Sequence, residues 1–249
     1  MPDLSDISAI EIKLRCPPEL EDLIPAPRLA TDMLPEWLAQ MPSTVQSELL
    51  ANTEIRTVKQ CPPFIDALRW GILFLLPVDI QVADGILSWD WDPPAIDSSP
   101  VTTSPIGVHV PEQAQGVPLG AQNDQFVVKF TNYWAVSLPR GWSMVFTHPL
   151  NRFDLPFRTL SGVVDCDNYG TNFVHFPALW SDHLFEGTIS KGTPITQAFP
   201  VPRSEILVDR KAFDDVDIEH HQKVQNELQE NAGTYRRQYR SARKRSPTL

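Results

Sequence analysis

Asp165 and Asp167 flank Cys166 in the run Asp165-Cys166-Asp167-Asn168-Tyr169-Gly170, directly after the stretch Gly162-Val163-Val164. Two carboxylates at the end of a strand suit general acid–base work, one taking a proton from water while the other helps to position it. The same residue types also build turns, because Asp and Asn side chains bond their own backbone, and both readings stay open. Cys166 has no cationic neighbour in sequence to lower its pKa, so it reads as a small filler and not as a nucleophile. His148 follows an apolar run and precedes the polar pair Asn151-Arg152, which makes it the histidine best placed for acid–base work. Arg152 and Arg158 bracket Asp154, and a guanidinium fork suits an internal ion pair as well as a bound anion.

A second set of residue types points to a metal. His109, His148, His175 and His183, with Asp154 or Asp182, contain the two histidines and carboxylate of a non-haem iron centre. No H-x-D, H-E-x-x-H or C-x-x-C spacing supports that set. The primary expectation is therefore no metal ligands, with His109, His148, His175 and Asp154 as the alternative.

The elements that must hold these groups are strands. At 249 residues, 42% hydrophobic and 21% charged, the chain has enough apolar material for a core, which excludes disorder throughout. Prolines outnumber glycines 24 to 11. Each internal proline removes a helical donor and clashes with the preceding turn, so long helices cannot fill the sequence. The net charge of −10 argues against a general nucleic-acid binder. Six of the 21 basic residues (Arg236, Arg237, Arg240, Arg243, Lys244, Arg245) crowd the last fourteen positions, so nucleic acid is expected only through this tail, if at all.

Cys16, Cys61 and Cys166 are far apart and form no disulfide framework, and Met1 to Ser8 lacks the basic and apolar regions of a secretory leader. The longest apolar run, Trp70 to Leu76, is far short of the ~20 residues of a membrane span. A cytoplasmic protein with no membrane partner is expected.

Along the chain, Ile10, Ile12 and Leu14 alternate with charged residues as a half-buried strand would, and Met33 to Met41 has the apolar spacing of a short helix capped by Asp32. Strand signals follow at Ile55–Val58, Gly71–Leu76, Ile80–Val82 and Ile86–Trp91. After a long loop over Asp92–Gln122 they resume at Phe126–Phe130, Trp134–Leu138, Ser143–Phe146, Leu160–Val164, Asn172–Phe176, Phe185–Ile189 and Ile195–Val201. No run between Thr53 and Val208 has a helical period, whereas Val224, Leu228, Ala232, Tyr235 and Tyr239 mark a helix face opened by acids and closed by arginines. The expected organisation is an N-terminal extension (1–52) with a strand and a short helix, a β domain (53–208) and a helical basic tail (209–249). The fold class is mainly β, a barrel or sandwich with a short N-terminal helix and a C-terminal helix.

Between Ser137 and Arg203 the chain reads S-L-P-R-G-W-S-M-V-F-T-H-P-L-N-R, then L-S-G-V-V-D-C-D-N-Y-G, then F-E-G-T-I-S-K-G-T-P-I-T-Q-A-F. That order resembles the dUTPase and dCTP deaminase families, whose β-clip core carries a P-x-G entry to a strand, a G-V-I-D-x-D-Y strand and hairpin, and an I-x-x-G-x-x-I-A-Q strand. The resemblance implies a dUTPase-like β-clip. It also implies that Asp165 positions or deprotonates the attacking water, that Tyr169 stacks on the deoxyribose and that Gln197 reaches the phosphates. Thr147-His148-Pro149 stands where dUTPases carry a phosphate-binding Ser-Ser, and Tyr169 lies one residue late. The whole chain also resembles a family of bacterial and tailed-phage proteins sharing C-P-P-F-I-D-A, F-T-H-P-L-N-R, D-L-P-F-R and F-P-A-L-W, a likeness that implies no activity.

Three functions follow from these readings. The first is a dUTPase-like protein binding a nucleotide or other anionic small molecule, with hydrolysis as its chemistry. It would use Asp165 and His148 as catalytic groups, and Tyr169, Gln197, Arg152 and Asn151 around the ligand. The resemblance adds a homo-oligomer, a trimer being favoured, with the site between subunits. The second is a metal-dependent oxygenase on a cupin-like barrel. The third is a non-enzymatic assembly or phage-structural protein. The cofactor is left open, with iron or magnesium as the alternatives.

Overall fold

The computed structural model describes residues 9–96, 103–116, 127–231 and 233–241. The chain forms two compact units that divide after Arg203. The first begins with β1 (Lys13–Arg15), β2 (Arg28–Leu29), α1 (Glu36–Gln40), β3 (Thr44–Ser47), β4 (Thr53–Arg56), α2 (Pro62–Leu68), β5 (Ile72–Leu75), β6 (Ile80–Ala83), β7 (Ile86–Ser88) and β8 (Ile106–His109). It continues with β9 (Val127–Phe130), β10 (Ala135–Ser137), β11 (Trp142–Thr147), β12 (Phe157–Thr159), β13 (Gly162–Val164), β14 (Phe176–Trp180), β15 (Gly187–Ile189) and β16 (Pro194–Pro202). The second unit contains α3 (Asp215–Glu230). No helix among the described residues is long and apolar enough to cross a membrane.

The protein is mainly β, as its alternating patterns require. A five-stranded sheet in the order β13-β11-β16-β5-β2 and a four-stranded sheet in the order β12-β14-β9-β8 carry the architecture, and their pairings are antiparallel. Phe74 and Phe146 of the first sheet meet Phe176 of the second, with ring centroids 5.2 and 5.5 Å from it, so the sheets close over one aromatic core. Strand β16 is the axis of the larger sheet. It pairs with β11 from Pro202 to Gln197 and with β5 from Pro194 to Ala198. Pro200 and Pro202 therefore lie beyond the end of β5, where a missing N–H costs no ladder bond on that side.

Among the described residues of the N-terminal segment, two strands pair with later strands. β1 pairs with β10, and β2 adds the fifth strand to the large sheet beside β5. Ile10 and Ile12 pack against the core without joining a ladder. The short N-terminal helix starts after Pro35 and not at Asp32, because Ala30–Asp32 forms a separate 3-10 turn.

Several elements differ from the sequence pattern. α2 is a helix inside the span that shows no helical period; two prolines at its start read as breakers but are tolerated in a first turn, and seven residues are too few to display a period. β8 lies within the expected long loop, much of whose remainder (97–102 and 117–122) is outside the described residues. β12 (Phe157–Thr159) begins within D-L-P-F-R and ends one residue past it, and the strand expected at Asn172–Phe176 begins only at Phe176. β3 and β4 form a two-stranded hairpin whose tip exposes Leu49 at 97%.

Gly71 opens β5 with φ +72, and a Cβ there would lie 2.0 Å from Ala198 O on β16. Gly85 has the same φ, but open space surrounds its would-be Cβ. Gly71→Ala should therefore cost about 3 kcal/mol or more, combining left-handed strain with overpacking, whereas Gly85→Ala should cost about 1 kcal/mol. Urea unfolding of the two variants measures the difference.

Candidate functional site

β11 and β13 run antiparallel with Met144 opposite Val164 and Phe146 opposite Gly162. One step past the ladder the Ser143 hydroxyl donates to Asp165 Oδ1 at 2.6 Å. The chain then turns, with the N–H groups of Asn168 and Tyr169 both donating to the Asp165 carbonyl at 2.9 Å. Gly170 closes the turn against β10: Ser137 Oγ donates to Gly170 O at 2.7 Å, and a Cβ on Gly170 would sit 2.6 Å from that hydroxyl. Only glycine allows so close an approach.

The two carboxylates divide their roles. Asp167 accepts from Gly141 N–H at 2.9 Å and from Arg203, with Nη1 bonding Oδ1 at 2.8 Å and Nη2 bonding Oδ2. Gly141 has φ +87, and Trp142 N–H donates to Pro139 O, so the Pro139–Trp142 turn aims an amide at the acid. The Arg203 guanidinium and this amide hold the Asp167 carboxyl well below its ordinary range. Its side chain is 4% exposed, whereas that of Asp165 is 55% exposed. Asp165 Oδ1 also meets Arg203 Nη1 at 3.2 Å, and its Oδ2 has no protein partner among the described residues. A cavity of about 410 Å³ opens here, lined by Arg140, Asp167, Asn168 and Arg203. Between the two acids, Cys166 is buried and its thiol is pushed up to about 11, chiefly by desolvation, so it fills space.

The other expected site residues lie at the far end of β11. Ser143 and His148 are five residues apart, which is about 16 Å of strand, so Asp165 and His148 share no cleft. His148 is also fully committed: Nε2–H donates to Arg152 O at 2.7 Å and Nδ1 accepts from Thr159 N–H at 3.3 Å. Arg152 pairs with Asp154, its Nε 2.9 Å from Oδ1. Asn151 donates to Phe64 O. Gln197 is 1% exposed, and its amide is saturated: Oε1 accepts from Leu150 N–H at 2.7 Å while Nε2 donates to Ala67 O and Trp70 O at 2.9 and 2.6 Å. His148 and Gln197 thus have their polar atoms bonded inside the fold, while Asn151 and Arg152 are each engaged through part of their side chains. Tyr169 remains beside Asp165, half exposed.

The alternative metal set is not assembled either. Among the described residues no three His, Cys, Asp or Glu side chains are grouped to hold a cation. His109 Nδ1 lies 3.0 Å from Gln113 Oε1, and His175 Nδ1 accepts from Asn132 N–H at 3.2 Å. Conversely, sequence reasoning passed over Ser143, Arg203, Arg140 and Asn168 as site residues. The signal available was the P-R-G turn before β11 and the V-P-R ending of β16, which become neighbours once the two strands pair.

No protein-family model matches the chain, and no curated protein matches it in sequence. A mutant dUTPase of Staphylococcus bacteriophage 80alpha, with dUpNHpp, is similar in structure at 14% identity and a TM-score of 0.25, over 44% of this chain and 89% of the phage protein.

The buried histidines predict a pH dependence. Desolvation leads in holding His148 and His175 below the ordinary imidazole pKa, helped at His148 by Arg158 and Arg152 and at His175 by Lys129. The unfolded chain therefore binds more protons than the folded one as pH drops from about 6.5, and this stability is full above that pH and lost below it. Urea midpoints should fall between pH 7 and pH 5, and the fall should shrink in His148→Gln. A second expectation concerns the saturated amide: Gln197→Leu strands one N–H and two carbonyls and should cost about 3 kcal/mol by the same assay.

Proposed function

We propose that the chain is a dUTPase-like protein that binds a small anion of low charge, a nucleotide being the favoured class, at the cavity beside Asp165, with hydrolysis as its chemistry. The observation that carries this reading is the division between the acids: Asp167 is locked into the fold, while Asp165 is mostly exposed and contacts Arg203, which lines the cavity together with Arg140, Asp167 and Asn168.

Charge decides which anions suit the cavity. Arg203 is already engaged by both carboxylates, and Arg140 is the lining cation with no protein partner among the described residues. An entering phosphate would meet the Arg140 guanidinium and the Asn168 amide while remaining close to two acids. One phosphoryl group is balanced by such a set, whereas a free triphosphate is repelled by it. With Oδ1 fixed by Ser143 and Arg203, Asp165 Oδ2 is the atom suited to take a proton from water, and the half-exposed Tyr169 ring is suited to cover a sugar.

A non-enzymatic assembly protein is the second reading, favoured by the exposed apolar tip of the β3–β4 hairpin.

Thermal-shift measurements with nucleosides, nucleoside monophosphates, nucleoside triphosphates and inorganic phosphate test the site. At ligand near 100 Kd the stabilisation is about 2.7 kcal/mol, roughly 5–11 °C in Tm for a chain of this size. A monophosphate should give that shift and Arg140→Ala should lose it. Asp165→Asn should keep the shift and abolish phosphate release from the monophosphate. If no anion raises Tm, or if Arg140→Ala keeps the full shift, the cavity is not the binding site. Binding without turnover in the unaltered protein would favour the second reading.

A further inference from the structure

One sheet edge of the first unit lies open beside an aromatic cleft. β15, β6 and β7 form a three-stranded sheet in that order, and β6 is the one strand that pairs with β7 among the described residues. Asp84 and Gly85, at φ +51 and +72, make the two-residue turn between β6 and β7, with Ala83 opposite Ile86 and Val82 opposite Leu87. The pair next to such a turn exchanges its hydrogen bonds and the following pair does not, so the Leu87 N–H and C=O point away from β6. Neither has a hydrogen-bond partner among the described residues. Edge groups of this kind are the template on which an extended peptide adds.

The Leu87 side chain lines a cavity of about 30 Å³ together with Val82, Gly85, Trp180, His183 and Phe185. The Trp180 indole N–H donates to Asp182 O at 2.8 Å, and the Phe185 ring meets the indole edge-on, with centroids 6.4 Å apart and planes at 69°. Two rings set so far from parallel form a corner that attracts a cation, a guanidinium above all. The space is far below the roughly 300 Å³ of a pocket that encloses a whole small ligand, so it suits the tip of a side chain presented by a larger partner.

Charge points the same way. The sequence has no Lys or Arg between Arg69 and Lys129, nor between Arg158 and Lys191, and every lining residue comes from these two spans. Acids are tied to the lining instead. Asp182 Oδ1 accepts from Leu184 N–H at 3.0 Å, and the Glu186 carboxylate accepts from Asp84 N–H at 3.1 and 3.2 Å. Both donors are neutral amides, so the negative charges of Asp84, Asp182 and Glu186 have no cation paired to them among the described residues. Nucleic acid is repelled by such a rim, whereas a basic peptide is drawn to it.

We propose that the edge of β7 and its cleft dock an extended, arginine-bearing segment of a partner protein whose backbone pairs with Leu87. Residues directly opposite each other in a ladder project to the same face. The arginine is therefore the residue opposite Leu87, with its guanidinium in the corner of Trp180 and Phe185 and its charge beside the three acids. The cleft shares no lining residue with the cavity beside Asp165, so the two sites stand or fall separately.

The probe is the capped peptide acetyl-Thr-Val-Arg-Val-Thr-amide, titrated by calorimetry into the full chain at low salt and near neutral pH, with the Leu87 amide and the Trp180 indole followed by NMR. Binding should be submillimolar and should move both signals. Citrulline in place of the arginine keeps the shape and removes the charge, and should weaken binding about tenfold; free argininamide, which lacks the flanking backbone, should bind at least as weakly. Asp84→Asn with Glu186→Gln keeps the turn and an acceptor for its amide while removing two charges, and should weaken binding about fivefold without lowering Tm. The proposal is overturned if neither signal moves at millimolar peptide or if the citrulline peptide binds as tightly as the arginine one. Argininamide binding as tightly as the peptide overturns it as well, since the cleft would then take a free cation and not a strand.

Discussion

Strand β16 is pinned at two points, by Gln197 within its buried half and by Arg203 just past its open end, and through them it is tied to what lies on either side. At the buried end the Gln197 amide joins the strand to the last turn of α2 and to the turn after β11, with each of its polar atoms bonded. At the open end Arg203 grips Asp167 and its own N–H bonds Gly141 O, joining the strand to both turns of the candidate site. A buried amide is tolerated only when it is fully bonded. Satisfying it fixes the register of β16 against β11 and β5 at one point, and the pairing carries that register along nine residues.

That register explains why one end of β11 is inert and the other is open to chemistry. Around His148, polar groups are consumed pairwise: imidazole with backbone, guanidinium with carboxylate, amide with carbonyl. The imidazole in particular has both nitrogens engaged. Around Asp165 the same kinds of residue are arranged unequally. Asp167 takes up most of the bonding capacity of Arg203 together with the Gly141 amide, and Asp165 receives what remains. An acid that is held at one oxygen and bare at the other is oriented without being used up, which is what general base work requires. The division arises from the burial of one acid and the exposure of its neighbour two residues away.

The two units illustrate different ways of stabilising an element. Strands of the first unit bury alternate residues against the Phe74, Phe146 and Phe176 cluster and need little from their exposed faces. α3 buries nothing of its own, so its reciprocal cap and the acids of its first turn are its internal support. The β3–β4 hairpin is a milder instance, a two-stranded sheet with Leu49 at its exposed tip.

Much of this architecture was legible in the amino-acid sequence. Period-two alternation and the abundance of proline required a β protein, and acids before an apolar period with arginines after it required α3, because these signals are local and a side chain's neighbours in sequence decide them. The Asp165–Gly170 turn was legible for the same reason. The sequence could not say that α2 survives its two prolines, since a two-turn helix shows no period, nor that β8 lies in a loop-like stretch, since its partner β9 is distant in the chain. The site was readable only in halves. Residue type singled out Asp165, His148 and Arg152, and the family resemblance added Gln197, but whether a polar atom is free depends on what lies across a sheet or under a helix. Only the folded chain brought Arg203 to Asp167 and Gly141 and closed Ala67, Trp70 and Leu150 around Gln197. Pairing between distant strands consumes one set of polar groups and spares another, and that selection is a property of tertiary structure alone.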